Sequence, residues 1–159
     1  MRTGIGYDSH RFAEGRRLVL GGVEIPHALG LAGHSDADAV AHAVTDAILG
    51  AAALGDIGAH FPPTDPQWRD ADSIELLRAA VRLLEERNYQ VVNVDVTVIC
   101  EAPKLARHVP AMRERLAAAI GIGPQHVSVK GKTNEGMGWI GRGEGIAAVA
   151  VALIDSMDG

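Results

Sequence analysis

Polar and apolar positions alternate with a period of two in two long stretches of the chain, a pattern typical of half-buried strands. In residues 2–12 one set of positions is Thr3, Ile5 and Tyr7, and the other set is Gly4, Gly6, Asp8 and His10. In residues 91–99 one set is Val92, Val94, Val96 and Val98, and the other is Asn93, Asp95 and Thr97. We therefore predict strands over these stretches, further strands over 127–130 and 146–154, and a short hairpin over 18–25.

Apolar residues at helical spacing predict three helices. Asp36 or Asp38 can cap a first helix over about 39–54, and Asp70 or Asp72 can begin a second that runs to about residue 87. A third has Pro110 in its first turn and ends near residue 121, while residues 61–68 (FPPTDPQW) form a loop. The order predicts an α/β (α+β) fold, with one domain over residues 1–159 and helices on one face of a mainly four-stranded sheet.

The last predicted strand, IAAVAVALI, is apolar on both faces. Three helices can cover one face of the sheet, and few residues remain to cover the other. We therefore predict an oligomer of closed symmetry, in which Asn93, Asp95 and Thr97 pair across subunits. The alternative is that one extra loop covers this strand.

Charge and composition narrow the function. The net charge is -5 without a Lys/Arg cluster, so no basic surface for nucleic acid or an anionic membrane is predicted. Cys100 is the only cysteine, which excludes an internal disulfide and fits a reducing compartment. No apolar run reaches the ~20 residues of a membrane span, and residues 1–30 lack a signal-peptide pattern, so we expect a cytoplasmic protein.

A metal site is predicted where the first strand ends. Asp8 and His10 are two apart and project from the same face of a strand, and His42 lies in the first predicted helix. Three nitrogen and oxygen ligands with a fourth position open are typical of catalytic zinc. Asp46, four residues after His42, either orients an imidazole or is a solvated helix carboxylate.

Three further segments carry polar groups suited to a phosphorylated substrate. The segment GHSDADAVAH contains His34 beyond what helix capping requires, and the GDIG segment offers Asp56 to substrate hydroxyls. The glycine-rich segment KGKTNEGMGWIGRGEG presents backbone N–H groups, together with the donors Lys132, Thr133 and Arg142. Glu135 can hold a hard divalent cation against phosphate oxygens, so the combination indicates metal-assisted phosphoryl chemistry.

The chain resembles one family nearly end to end, the 2-C-methyl-D-erythritol 2,4-cyclodiphosphate synthases of non-mevalonate isoprenoid biosynthesis. The resemblance rests on six motifs in order: GIGYDSHRF, LGG, GHSDADAVAHAVTDAILGAAALGDIGAHFPPTDP, NVDVTVICEAPKL, KGKTNEG and GRGEGIA. It implies cyclisation of 4-diphosphocytidyl-2-C-methyl-D-erythritol 2-phosphate with release of CMP, catalysed by a lyase. It also implies a homotrimer with active sites between subunits.

The resemblance assigns roles to particular residues. Asp8, His10 and His42 match the Zn²⁺ ligands, Glu135 matches the ligand of a second cation (Mg²⁺ or Mn²⁺), and His34 and Thr133 match residues that align the phosphates. The implied substrate pocket comprises Asp8, His10, His34, Ser35, Asp56, Ile57, Gly58, Phe61, Pro62, Pro63, Thr64 and Asp65. The implied cytidine-binding residues are Cys100, Glu101, Ala102, Pro103, Lys104, Leu105 and Ala106, joined by Lys132, Thr133, Asn134 and Glu135. Trp139, Arg142 and Glu144 would lie near the threefold axis, where some members bind isoprenoid diphosphates.

Two positions depart from the pattern that the family leads us to expect. Pro63 replaces a common acidic residue, and Trp139 replaces a smaller aromatic. Three alternatives remain open at the level of sequence: a zinc hydrolase with the same ligands, a non-catalytic trimeric module that binds isoprenoid diphosphates, and a pseudoenzyme disabled by Pro63.

Overall fold

A computed structural model describes residues 1–158 of the chain. The seven strands are β1 (Arg2–Ala13), β2 (Leu18–Leu20), β3 (Val23–Ile25), β4 (Gly30–Leu31), β5 (Tyr89–Ile99), β6 (Val127–Lys132) and β7 (Gly145–Ser156). The five α-helices are α1 (Ala39–Ala51), α2 (Ile57–His60), α3 (Ser73–Glu85), α4 (Val109–Ile120) and α5 (Gly138–Gly141). Single 3₁₀ turns cover Pro66–Trp68, Ala106–His108 and Pro124–His126.

The main sheet has five strands in the order β4-β1-β7-β5-β6, and β2 and β3 form a separate hairpin. The prediction of four strands was therefore wrong by one. The additional strand, β4, pairs Gly30 and Leu31 with the end of β1, and two residues are too few to show any periodicity. Only β5 and β6 run parallel, whereas β7 is antiparallel to both β1 and β5.

The two glycines of β1 allow α1 to lie directly on the sheet. A Cβ atom at Gly4 would stand 2.0 Å from the carbonyl oxygen of Ala47, and one at Gly6 would stand 1.9 Å from that of Ala43. Only hydrogen fits between the strand and the helix at these two positions. The close approach brings His42, the neighbour of Ala43, next to Asp8 and His10. These two residues lie within β1 and not at its end as predicted, because the strand continues to Ala13.

Carboxylates cap the helices and tie them to the rest of the fold. Asp38 is the N-cap of α1 and accepts the N–H of Ala41 at 3.0 Å. The same fully buried side chain accepts the N–H groups of Gly21 and Gly22 at 2.8 and 2.7 Å, which attaches the β2–β3 hairpin to α1. Burial raises the pKa of Asp38 to about 6. Asp72 caps α3.

Several predicted boundaries shift. The first helix ends at Ala51 and the second at Glu85, so both stop before their predicted ends. The predicted loop over 61–68 contains the short 3₁₀ turn Pro66–Trp68, which Asp65 caps. Near the start of β5 the register shifts between Val91 and Asn93. Val92 is consequently 38% exposed instead of sharing the buried face of Val94, Val96 and Val98.

The two faces of the sheet differ in their environment. Helices α1, α3 and α4 pack on one face, which buries the alternate residues Ala148, Ala150 and Ala152 of β7. On the opposite face Ile5, Tyr7 and Val151 are 70%, 55% and 45% exposed. Ile5 and Val151 are direct cross-strand partners, so these side chains form one continuous apolar surface.

Candidate active site

Asp8, His10 and His42 converge as predicted, and one ligand atom from each lies within 4.8 Å of the others. Asp8 Oδ2 is 2.8 Å from His10 Nε2 and 3.0 Å from His42 Nδ1, and the two nitrogens are 3.3 Å apart. Tetrahedral zinc with bonds of about 2.0–2.1 Å needs ligand atoms about 3.3 Å apart. The donor triangle therefore fits zinc after small adjustments, and its open side leaves a fourth position for another ligand.

Charge within the triangle favours an ionised carboxylate. Burial raises the pKa of Asp8, but hydrogen bonds and charge from His10 and His42 outweigh it and lower the pKa to about 2. Burial lowers the pKa of His10, and the hydrogen bond and charge of Asp8 outweigh it, so the net shift is upward. A metal ion that replaced the protons shared by Asp8, His10 and His42 would therefore bind a carboxylate that is already ionised.

The outer nitrogens of both imidazoles have hydrogen-bond partners. His10 Nδ1 lies 2.7 Å from the carbonyl oxygen of Ala32. His42 Nε2 lies 2.7 Å from Ser73 Oγ, and that hydroxyl donates to the carboxylate of Asp36. These contacts present His10 Nε2 and His42 Nδ1 to the metal position, which is the role of outer partners in metal sites. The sequence reasoning missed Ser73, because a serine beside Asp72 indicates only a helix N-terminus.

His34 and Ser35 lie on the loop that precedes α1, and an arginine holds this loop. The guanidinium of Arg16 donates to the carbonyl oxygens of Gly33 at 3.1 Å and of Ser35 at 2.6 Å, one on each side of His34. Nothing in the sequence around Arg16 indicated this contact. The loop thereby presents the imidazole of His34 beside the metal ligands.

A cavity of about 250 Å³ opens next to the donor triangle. Its lining is mostly apolar, with three histidines and a serine on one side: His10, His34, Ser35, His42, Ile57, Gly58, Phe61, Pro63, Trp68 and Leu76. Eight of these ten were predicted as metal or substrate residues. Pro62, Thr64 and Asp65 were also predicted there and are not part of its lining, and Trp68 and Leu76 were missed.

The remaining acidic residues near this cavity have structural partners. Asp56 caps α2 through the N–H of Ala59, and Asp65 Oδ1 accepts the N–H of Gln67. Asp46 Oδ1 accepts the N–H of Ile57 at 2.7 Å, and this bond ties α1 to α2. Within residues 1–158 no imidazole hydrogen-bonds to Asp46, and the carboxylate is partly exposed to solvent.

A second pocket, of about 240 Å³, lies between the ends of β5 and β6. The lining residues are Cys100, Glu101, Pro103, Lys104, Leu105, Ala106, Gly131, Lys132 and Thr133. Burial raises the pKa of Cys100 to about 11, so its thiol is a poor nucleophile. Predicted cytidine-binding residues of both segments thus line one concave pocket, and Ala102, Asn134 and Glu135 are not part of its lining.

Within one chain, the cavity beside the metal ligands and the pocket of residues 100–106 lie far apart on the sheet. Asp8 pairs with Ala148, which pairs with Val98, which pairs with Gly131, so Asp8 and Gly131 are separated by three strand spacings. At about 4.8 Å per spacing this separation is about 14 Å. Thr133 and Glu135 follow β6 in an exposed turn, and Glu135 is outside the metal-binding group formed within residues 1–158.

The residues predicted near a threefold axis lie between this turn and β7. Trp139 is part of α5 and is 37% exposed. Arg142 Nε donates to Glu144 Oε2 at 2.8 Å, and both side chains face solvent. None of the helices within residues 1–158 has the length and apolarity that crossing a membrane requires.

Three residues that could hold a metal ion, beside a largely apolar cavity, are typical of a metal-dependent enzyme. Residues 1–155 match the YgbB family, and the chain belongs to it. A 2-C-methyl-D-erythritol 2,4-cyclodiphosphate synthase from Symbiobacterium thermophilum is 62% identical over 154 residues, which is 97% of this chain and 98% of that protein. The synthase of the same name from Dechloromonas aromatica is 61% identical, over 97% of this chain and 96% of its own.

Solved structures agree with this assignment. The bifunctional IspDF from Campylobacter jejuni matches with a TM-score of 0.94 and 41% identity, over 98% of this chain and 42% of that one. A 2C-methyl-D-erythritol-2,4-cyclodiphosphate synthase in a CDP-bound form matches with a TM-score of 0.89 and 41% identity, over 97% and 100% of the two chains.

Proposed function

We propose that this chain catalyses the cyclisation of 4-diphosphocytidyl-2-C-methyl-D-erythritol 2-phosphate to 2-C-methyl-D-erythritol 2,4-cyclodiphosphate, with release of CMP. In this reaction an oxygen of the 2-phosphate bonds to the β-phosphorus, and the bond from that phosphorus to the CMP oxygen breaks. The observation that carries the proposal is the convergence of Asp8, His10 and His42 beside the cavity, in a chain whose relatives bear this name.

We propose that Zn²⁺ is the ion held by Asp8 Oδ2, His10 Nε2 and His42 Nδ1, since the donor set and its spacing suit that ion. Bound there, it supplies a Lewis acid for a diphosphate oxygen. Glu135 is the proposed ligand of a second divalent cation, Mg²⁺ or Mn²⁺. Its carboxylate is exposed, so it can bind a cation that is shared with a neighbouring subunit.

The chain's own residues bind and align the reactants. His34 and Ser35, on the loop held by Arg16, would donate to the phosphates, and Thr133 would donate from the turn after β6. Ile57, Gly58 and Phe61 would enclose the methylerythritol carbons and exclude water, which competes as a nucleophile. Because both phosphates belong to one bound molecule, alignment can lower the barrier by about 7–11 kcal/mol.

The complete site is proposed to form between subunits of a homotrimer. Two observations support this: the pockets are about 14 Å apart along the sheet of one chain, and an apolar sheet face is exposed. The pocket of residues 100–106 would receive the cytidine for the metal site of a neighbouring subunit. Packing of the exposed faces would also bring Trp139, Arg142 and Glu144 towards the axis, where an isoprenoid diphosphate is the proposed ligand.

The buried free thiol of Cys100 fits the proposed cytoplasmic location.

Product analysis tests the function directly. Incubation with the cytidylyl substrate is expected to yield a cyclic diphosphate and CMP by phosphorus NMR, and a chelator should stop the reaction. Linear phosphate products would instead identify a hydrolase. Metal removal that lowers the melting temperature and leaves isoprenoid diphosphate affinity unchanged, in a protein without turnover, would identify a binding module.

Two variants test the assignments within this function. His42→Ala should remove zinc and turnover together, and stoichiometric zinc in that variant would contradict the ligand set. Pro63→Asp restores the carboxylate that the family pattern leads us to expect at the rim of the cavity. If Pro63 disables the enzyme, this change should raise turnover from near zero, whereas similar turnover in both proteins would reject the pseudoenzyme.

A further inference from the structure

The turn after β6 carries Thr133 and Glu135, and its backbone conformation is unusual. Glu135 has a φ of 53°, in the left-handed region that residues with a side chain rarely adopt. Gly136 follows with a φ of 72°. Something outside the turn must hold this conformation, because an exposed turn with free N–H groups would relax to a more common one.

The carboxylate of Glu101 makes the contacts that hold it. Glu101 Oε1 accepts the N–H of Asn134 at 2.9 Å and the N–H of Gly136 at 3.1 Å. These two N–H groups lie on either side of Glu135. One oxygen atom therefore holds the Thr133–Asn134 and Glu135–Gly136 peptide units, and the backbone between them carries the side chain of Glu135.

The strand register brings Glu101 to this position. β5 and β6 are parallel, Ile99 pairs with Lys132, and the N–H of Cys100 continues the ladder by donating to the carbonyl oxygen of Lys132 at 2.9 Å. Glu101 is therefore next to the start of the turn. The bond from the N–H of Glu135 to Thr133 Oγ1, 3.2 Å long, transmits the constraint to Thr133.

We propose that Glu101 is a positioning residue, which aims Glu135 and Thr133 at the reacting phosphates through hydrogen bonds to the turn. This inference rests on the proposed function of those two residues. It gives Glu101 a role in addition to the predicted contact with cytidine, because Oε1 accepts two N–H groups of the turn while the residue lines the pocket of residues 100–106. This role requires that the acceptor oxygen of residue 101 extend as far as the N–H groups of Asn134 and Gly136. It does not require the negative charge of the carboxylate.

Two substitutions separate reach from charge. Glu101→Gln keeps the acceptor at the same reach and removes the charge, whereas Glu101→Asp keeps the charge and withdraws the acceptor by one methylene group. We expect Glu101→Gln to stay within threefold of the unaltered protein in kcat and in the Mg²⁺ concentration for half-maximal rate. Glu101→Asp should lower kcat at least tenfold and raise that Mg²⁺ concentration at least tenfold, with zinc content and CMP affinity unchanged. Glu114→Ala, an exposed carboxylate on α4, serves as the control and should change neither quantity.

Amide hydrogen exchange tests the positioning independently of turnover. The N–H groups of Asn134 and Gly136 should exchange at least tenfold faster in Glu101→Asp, and at the original rate in Glu101→Gln. Equal exchange in both variants would overturn the inference, as would a loss of CMP affinity with unchanged exchange and Mg²⁺ dependence. If the unaltered protein forms no cyclic product, the proposed function fails, and the exchange rates still decide whether Glu101 holds the turn.

Discussion

Replacing Gly6 by alanine should disturb the contact between β1 and α1, and with it the metal site. The new Cβ would lie 1.9 Å from the carbonyl oxygen of Ala43 and 2.8 Å from the nitrogen of Ala47, and real Cβ atoms essentially never come within 3.0 Å of such atoms. Both atoms belong to the helix backbone, so no side chain can rotate away. The helix must therefore retreat by about 1 Å.

The structure gives the size of the effect. Overpacking of a close-packed core costs about 1–3 kcal/mol, and we expect the upper end because α1 also packs on β7 and α3. For a chain of this size a loss of about 3 kcal/mol lowers the melting temperature by about 6–12 °C. His42 would move with Ala43, and metal sites tolerate only about 0.2 Å of error in ligand distance. The zinc dissociation constant should rise at least tenfold.

Gly50→Ala is the matched control, because Gly50 belongs to α1, the helix against which Gly6 packs. Its Cβ would find only the carbonyl oxygen of Ile5, at 3.9 Å, which is an ordinary contact. Since alanine favours the helix over glycine by about 0.5–1 kcal/mol, this variant should melt about 1–4 °C higher and bind zinc normally. Thermal unfolding of the metal-free proteins and zinc titration measure both quantities. The reasoning is refuted if Gly6→Ala melts within 2 °C of the unaltered protein and keeps its zinc affinity.

Two further predictions concern groups that support the site. Ser73→Ala removes the hydrogen-bond partner of His42 Nε2, so the zinc dissociation constant should rise about 10–100-fold by equilibrium dialysis; unchanged affinity would contradict the orienting role. Burial raises the pKa of Asp38 to about 6, so its contribution to stability is complete below about pH 4 and is lost as the pH rises through about 6, by roughly 3 kcal/mol. Urea unfolding from pH 4 to pH 7 should show this loss, and the slope should flatten in Asp38→Asn; equal slopes in the two proteins would reject the shift.

Local order in the sequence was enough to predict every strand of the main sheet except β4, and the three residues of the candidate metal site. The alternation along β1 puts Asp8 and His10 on one face, together with Gly4 and Gly6, where α1 packs closely. The helix that carries His42 follows from its cap and its apolar spacing. These features depend on periodicities of two residues in strands and 3.6 residues in helices, and both can be read from the order of polar and apolar residues.

Only the tertiary structure decided which polar groups meet across long stretches of chain. Arg16 reaches the carbonyl oxygens beside His34, Ser73 reaches His42, and Glu101 reaches the turn of Glu135, over sequence separations of 17 to 35 residues. A hydrogen bond needs placement within a few tenths of an ångström, and that placement results from the packing of whole elements. Periodicity gives the face on which a side chain lies, but not the atom that it contacts.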